Sequence, residues 1–338
     1  MKTTPDDFHG LHAPRSMCLS RSSLQRYLGG RTPKIRDSRK IEEDMPKGST
    51  LSKTWRMSMA YNIDWNAVWK ELYNENAACQ GSRECASTWT SREKARAFLA
   101  QLREKPERTR HIIDSFPIEA GSTVLDIGAG PGTLAVPLAC RVAHVTAVEP
   151  SAGMADVMAG YAAEEGVSNL EIVRKRWEEI DPSVDLRGRY DIVVASYSLG
   201  MPDIRAAIEA MCEASSRWVY LFWFAGPTAW EQVMVDLWPA LHGKEFCFGP
   251  KADVLFNVLY SMGIYPNVET IRREHARKFP DFEAAVAEFG DQCQITSPDQ
   301  EEILREYLSA TLSKNGDGFL QAGMMTRVKF WWEVDGCR

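Results

Sequence analysis

Five short apolar runs alternate with stretches of helical period, and few folds accommodate that pattern. Residues 123–127 (TVLDI), 144–148, 170–173, 190–195 (YDIVVA) and 218–223 read as strands, with helical spacing over 133–140, 152–165 and 203–214 between them. Short, continuously apolar strands separated by helices indicate a parallel sheet covered on both faces. Farther on, helices are predicted at 229–240, 251–262, 281–289 and 298–312, with strands near 264–272 and 324–333. The predicted fold is therefore α/β and doubly wound, with a mostly parallel seven-stranded sheet.

The first strand runs into Val124-Leu-Asp-Ile-Gly-Ala-Gly-Pro-Gly132. Gly128, Gly130 and Gly132 let the backbone approach a ligand where a Cβ would intrude, and the next helix starts over the same crevice. A dinucleotide fingerprint spaces its glycines G-x-G-x-x-G. Here they run G-x-G-x-G, with Thr133 where the last dinucleotide glycine would fall. Asp126, two residues before the first glycine, opposes a pyrophosphate but accepts hydrogen bonds from a cationic amino acid group. Glu149, at the end of the second strand (Ala147-Val-Glu-Pro150), is placed to accept from two ribose hydroxyls.

This D-x-G-x-G-x-G at Asp126–Gly132, with Glu149 after the next strand, resembles the class I S-adenosylmethionine-dependent methyltransferases over roughly residues 115–225. The resemblance implies a Rossmann-like core with an N-terminal helical lid and a helical insertion near the C-terminus. S-adenosyl-L-methionine is the implied cofactor. Asp126 and the backbone of Gly128, Ala129, Gly130 and Gly132 would hold its methionine end, Glu149 and Pro150 its ribose, and Met154 would pack on its adenine. Where many relatives place an Asp after the third strand, this chain has Arg176, so Trp177 and Glu178 are the candidate substitutes; a basic surface loop with one half-buried Trp is the other reading. Ser196 is a candidate for the sulfonium side. The fourth strand ends in Ala195-Ser-Tyr-Ser-Leu199 without the proline pair of amino methyltransferases that act on bases, which disfavours adenine or cytosine methylation.

For the acceptor, Trp65, Trp69 and Tyr73, with Trp89 farther on, form an aromatic stripe that reads either as a lid over the cofactor or as core, and Tyr197 or Ser198 points to substrate. Lys94 and Arg96 are candidates for a carboxylate partner, His242 and His275 for a general base. No other residue pattern announces a base, and methyl transfer needs little beyond positioning an already electrophilic methyl group.

The expected organisation is a disordered basic leader or misplaced start at 1–56, ahead of Met57 and Met59. An N-terminal helical cap follows at 57–115, a cofactor-binding core at 116–226, and a C-terminal part at 227–338 that completes the sheet and carries an inserted substrate cap. The leader holds 12 Lys/Arg and 6 Asp/Glu, leaving 28 and 40 for the rest, so the body carries a net −12 within the total of −6. An acidic body disfavours a nucleic-acid surface. The longest apolar run, 218–226, falls short of the roughly 20 residues a membrane span needs. Eight scattered cysteines without a C-x-x-C pair suggest reduced thiols in a cytoplasmic setting, and no metal-site spacing is present. The expected activity is methyl transfer to the O, N or S atom of a small molecule. A protein or RNA acceptor, or a non-catalytic cofactor-binding module, are the alternatives.

Overall fold

The computed structural model describes residues 63–81 and 91–334. The leader at 1–56 and Trp89 lie outside the described residues, and Trp65–Arg338 forms one compact unit. Its elements are α1 (Trp65–Cys79), α2 (Arg92–Arg103), α3 (Pro106–Asp114), β1 (Thr123–Ile127), α4 (Ala135–Ala139), β2 (His144–Val148), α5 (Ala152–Glu164), β3 (Leu170–Val173), a 3₁₀ turn at Trp177–Glu179, α6 (Pro182–Asp185), β4 (Tyr190–Ser196), α7 (Ile204–Ala214) and β5 (Ser215–Phe224). Then follow α8 (Ala229–His242), α9 (Ala252–Ser261), β6 (Asn267–Phe279), α10 (Phe282–Gln292), α11 (Pro298–Thr311), β7 (Ser313–Asn315) and β8 (Gly318–Glu333).

The sheet order is β3-β2-β1-β4-β5-β8-β6, with β7 paired to β8 alone. The first five strands are parallel, and β8 runs antiparallel between β5 and β6. Among the described residues eight strands therefore stand where seven were predicted, because the short β7 forms a hairpin with β8. β6 and β8 also run well past the predicted 264–272 and 324–333. The added residues of β6 alternate half-buried and exposed and those of β8 are mostly half-buried, so neither stretch has the continuously buried apolar run that marks a central strand. The predicted helix over 133–140 shrinks to α4 because the glycine turn and its exit occupy residues up to Leu134.

Strand alternation splits the core into two layers. Leu125, Ile127, Val193, Ala195, Val219 and Leu221 meet Trp69, α7 and α9 on one face. Val124, Val145, Ala147, Ile192, Val194, Tyr220 and Phe222 meet Ile113, Phe116 and α4 on the other. A third cluster, centred on Trp238, Phe289 and Leu304, joins α8, α10 and α11. Within the N-terminal helices, α2 packs on α5 through Ala95, Leu99, Met154 and Val157. Arg92 and Arg174 both pair with Asp156, at 2.6 and 2.7 Å, on the surface beside that contact. Among the described residues no helix is long and apolar enough to cross a membrane.

Candidate functional site

The carboxyl ends of β1, β2 and β4 converge on the glycine turn. Val148 O accepts from the amides of Gly128 (2.8 Å) and Ala129 (3.1 Å), folding the turn back over the end of β2. Gly128, Gly130 and Gly132 have φ of 67°, 57° and 84°, a region L-residues avoid. Their surroundings differ. A Cβ on Gly128 would collide with Ser198, and one on Gly132 would come within 2.7 Å of Met158 and 2.9 Å of Val136, whereas Gly130 faces open space. The expectation that all three glycines clear room for a ligand is corrected: two of them clear room for protein side chains, and only Gly130 opens outward.

Asp126 lies under this turn, 2% exposed. It accepts from the Ala135 amide at the start of α4, and its Oδ2 is buried without a hydrogen-bond partner. Burial first, and then the charge of Glu149, push its pKa up from 3.8 to about 7. Glu149 is also buried, which raises its pKa, while hydrogen bonds from the amides of Ser151 and Gly130 oppose the shift. Its Oε2 accepts from Gly130 (2.8 Å) and its Oε1 from Ser151 (2.7 Å). The predicted ribose acid therefore also clamps the turn. Ser151 caps α5 by accepting from Met154, so one short loop sets both Glu149 and the helix behind it.

β4 delivers Ser196, Tyr197 and Ser198 beside the turn. Ser198 does not point outward: its Oγ donates to Ile127 O at 2.5 Å, locking the end of β4 to β1. Tyr197 has a φ of 58°, a strained position for a bulky side chain. It is held by its amide to Phe222 O (3.1 Å), by Phe224 at 5.0 Å, and by the Arg327 guanidinium 4.8 Å over its ring. Burial raises the Tyr197 phenol, and the neighbouring Arg327 charge pulls against it.

Other predicted residues stand elsewhere. Trp69 is fully buried; its Nε1 donates to Met201 O (2.8 Å) and its ring lies 6.0 Å from Trp223, so it is core and not an acceptor contact. Trp65 is half-buried against the same cluster. Trp177 is buried with Nε1 donating to Ala207 O (3.0 Å), which fixes the 3₁₀ turn to α7 and removes the ring as a free adenine wall. Met154 packs against α2, 4% exposed, in place of offering an adenine face. Glu178, Pro150, Lys94 and Arg96 are exposed. His242 bonds Cys293 O (2.9 Å) and packs against Trp238 with its ring tilted by 47°, a structural role. His275 faces Trp230 at 5.6 Å; burial and then the charges of Arg327, Arg277, Arg108 and Lys105 lower its pKa, leaving it neutral at pH 7.

Sequence reasoning missed two features. Ser198 is needed to explain Gly128, and the basic face of β6 and β8 stands beside Tyr197. Arg273, His275 and Arg277 recur with period two within Asn267–Phe279, a signal that a strand ending at 272 cuts short. Thr133 Oγ1, on the exit of the turn, is a second buried polar atom without a partner.

A glycine turn above the buried Asp126 and clamped by the buried Glu149, on a sheet of order 3-2-1-4-5 continued by an antiparallel strand, has the Rossmann-like arrangement expected from the sequence. Residues 124–216 match the family model described as a methyltransferase domain. An uncharacterized protein of Haemophilus influenzae is 28% identical over 271 residues, covering 78% of this chain and 96% of its own length. Among solved structures, the YcgJ protein of Bacillus subtilis is 16% identical, with a TM-score of 0.44 over 66% of this chain and 97% of its own. Magnesium protoporphyrin IX methyltransferase of Synechocystis, with bound SAH, is 15% identical, with a TM-score of 0.40 over 68% of this chain and 84% of its own.

Proposed function

We propose that the protein binds S-adenosylmethionine over Gly130 and transfers its methyl group to a small-molecule acceptor beside Tyr197. The observation that carries this reading is Asp126 Oδ2, a buried acceptor without a partner beneath a turn whose middle glycine opens outward. A buried, unpaired carboxylate oxygen is costly, and a cationic amino group offsets that cost. The residues fit the cofactor at both ends: Asp126 with the Gly128–Gly132 backbone for the methionine moiety, and Glu149 for the ribose. Each Glu149 oxygen accepts one amide, which leaves lone pairs for two hydroxyls.

When bound, the cofactor supplies an electrophilic sulfonium methyl group. The chain's part is positioning. Glu149 holds the turn, Ser198 ties β4 to β1, and Tyr197 with Phe224 and Trp230 walls the side where an acceptor would stand. Alignment of a nucleophile with a methyl group already activated accounts for much of such an acceleration. Ser196, half-buried at the strand end, is assigned to the sulfonium side, and residues from 227 onward to the acceptor side. Trp177 and Met154 are assigned a supporting role, bracing the loops that frame the adenine position. Cys79, Cys140, Cys247 and Cys293 are free thiols, which supports action in a reducing compartment such as the cytoplasm.

Incubating the protein with metabolite extract and methyl-labelled S-adenosylmethionine tests the reading. Label appearing in one small compound supports it. Label confined to protein or RNA, or to the unreacted cofactor, refutes the small-molecule acceptor.

A further inference from the structure

Beside Tyr197 the sheet carries positive charge that the protein does not neutralise. Register pairs Phe224 with Arg327 across β5 and β8, and Ile271 with Arg327 and Arg273 with Met325 across β8 and β6. Side chains alternate along strands, so Phe224, Arg327, Arg273, His275 and Arg277 share one face. Each of them is half-buried. Arg327 stacks on Tyr197, and its Nε is buried without a hydrogen-bond acceptor. Arg108, on α3, stands near enough that the charges of Arg327 and Arg273 lower its pKa, after burial; Glu107 opposes them.

Countercharges are engaged elsewhere. Arg277 pairs with Glu288. Glu231, next to Trp230 on α8, is held by Lys251 at 2.7 Å and by Thr228 in a capping box. Among the described residues, Arg108, Arg273 and Arg327 form no ion pair. Three half-buried guanidinium groups repel one another unless an anion joins them, and the planar guanidinium fork matches carboxylate and phosphate oxygens.

We propose that the acceptor is an acidic, ring-bearing small molecule whose carboxylate or phosphate group is held by Arg327 and Arg273, with Arg108 contributing from α3. This identification of the substrate class rests on the methyl-transfer reading above. Its location follows from connectivity: Tyr197, which carries Arg327, immediately precedes Ser198, which locks onto the strand leading into the glycine turn. A group bound there lies one residue along the chain from the cofactor side. Phe224 and Trp230, edge to face at 5.6 Å, supply flat apolar walls for the ring that bears the anion.

Calorimetric titration of the tag-free full chain with phthalate and with phenyl phosphate tests the site. At least one probe is expected to bind with Kd of about 1 mM or tighter. Arg327→Gln and Arg273→Gln are each expected to weaken it by about tenfold or more, as for a lost charged hydrogen bond. The stronger probe assigns the group as carboxylate or phosphate. If neither probe binds the wild-type chain, or if the variants bind as tightly as the wild type, the proposal is overturned. S-adenosylhomocysteine titrated into the same preparations is expected to bind all three proteins equally. Failure of that ligand on the wild type, with the anion still bound, removes the methyl-transfer reading and leaves the anion site standing.

Discussion

Replacing Asp126 by Asn separates stability from binding. In the ligand-free protein the carboxyl has an ordinary value of 3.8 when unfolded and about 7 when buried under the turn, so the folded state favours the protonated form. Its contribution to stability is therefore fully present below pH 3.8, and it is lost as the pH rises through about 7. At 1.36 kcal/mol per pH unit, the interval amounts to at most about 4 kcal/mol. Asn keeps the shape and stays neutral. Urea unfolding of the ligand-free protein at pH 5 and pH 8 measures the effect. The wild type is expected to lose stability between the two pH values more steeply than Asp126→Asn. The variant is expected to be the more stable protein at pH 8 by up to about 4 kcal/mol, while binding S-adenosylmethionine at least about tenfold more weakly. A variant less stable than the wild type at pH 8, with the same pH slope, refutes the idea of a buried acid left waiting for a cation.

Other substitutions distinguish the roles assigned to neighbouring residues. Gly128→Ala forces a Cβ into Ser198 at a positive φ and is expected to destabilise the fold by about 2 kcal/mol or more, whereas Gly130→Ala meets open space and is expected to lose only about 1 kcal/mol while weakening cofactor binding; thermal unfolding and calorimetry read the two effects. Trp69→Ala removes a fully buried ring and its bond to Met201, and chemical denaturation is expected to show a loss of about 3–5 kcal/mol. Glu149→Gln retains shape but turns one of its two buried amide acceptors into a donor, so S-adenosylhomocysteine affinity and the melting temperature are both expected to fall, read by calorimetry and thermal unfolding. Tyr197→Phe is expected to leave that affinity unchanged while raising the KM of whichever acceptor is methylated, because it removes only the hydroxyl that meets Arg327.

The parallel half of the fold was legible because strands buried on both faces are apolar throughout. Leu125, Val145 and Val193 announce themselves as core in any window of the sequence. β6 was only partly legible: Arg272, Arg273, Arg277 and Lys278 look like a solvated run, and only the partner strand reveals which of them turn inward. The aromatic stripe of α1 could be read as lid or core because helical spacing is the same for both, and the Trp69 bond to Met201 decides for core. At the site, spacing located the turn and both acids. It did not separate the glycines, since whether Gly128 faces a ligand or Ser198 depends on a residue seventy positions away. Met154 and Trp177 were assigned to the adenine by position along the chain; packing directs both side chains into apolar clusters that no local pattern reveals.

Titration of the full-length chain with S-adenosylmethionine, at pH 7 in two buffers of different ionisation enthalpy, tests the central claim most directly. The expected result is one cofactor per chain, with protons released on binding as the cationic amino group draws Asp126 into its ionised form. Absence of heat at millimolar cofactor, or binding without any proton release, contradicts it.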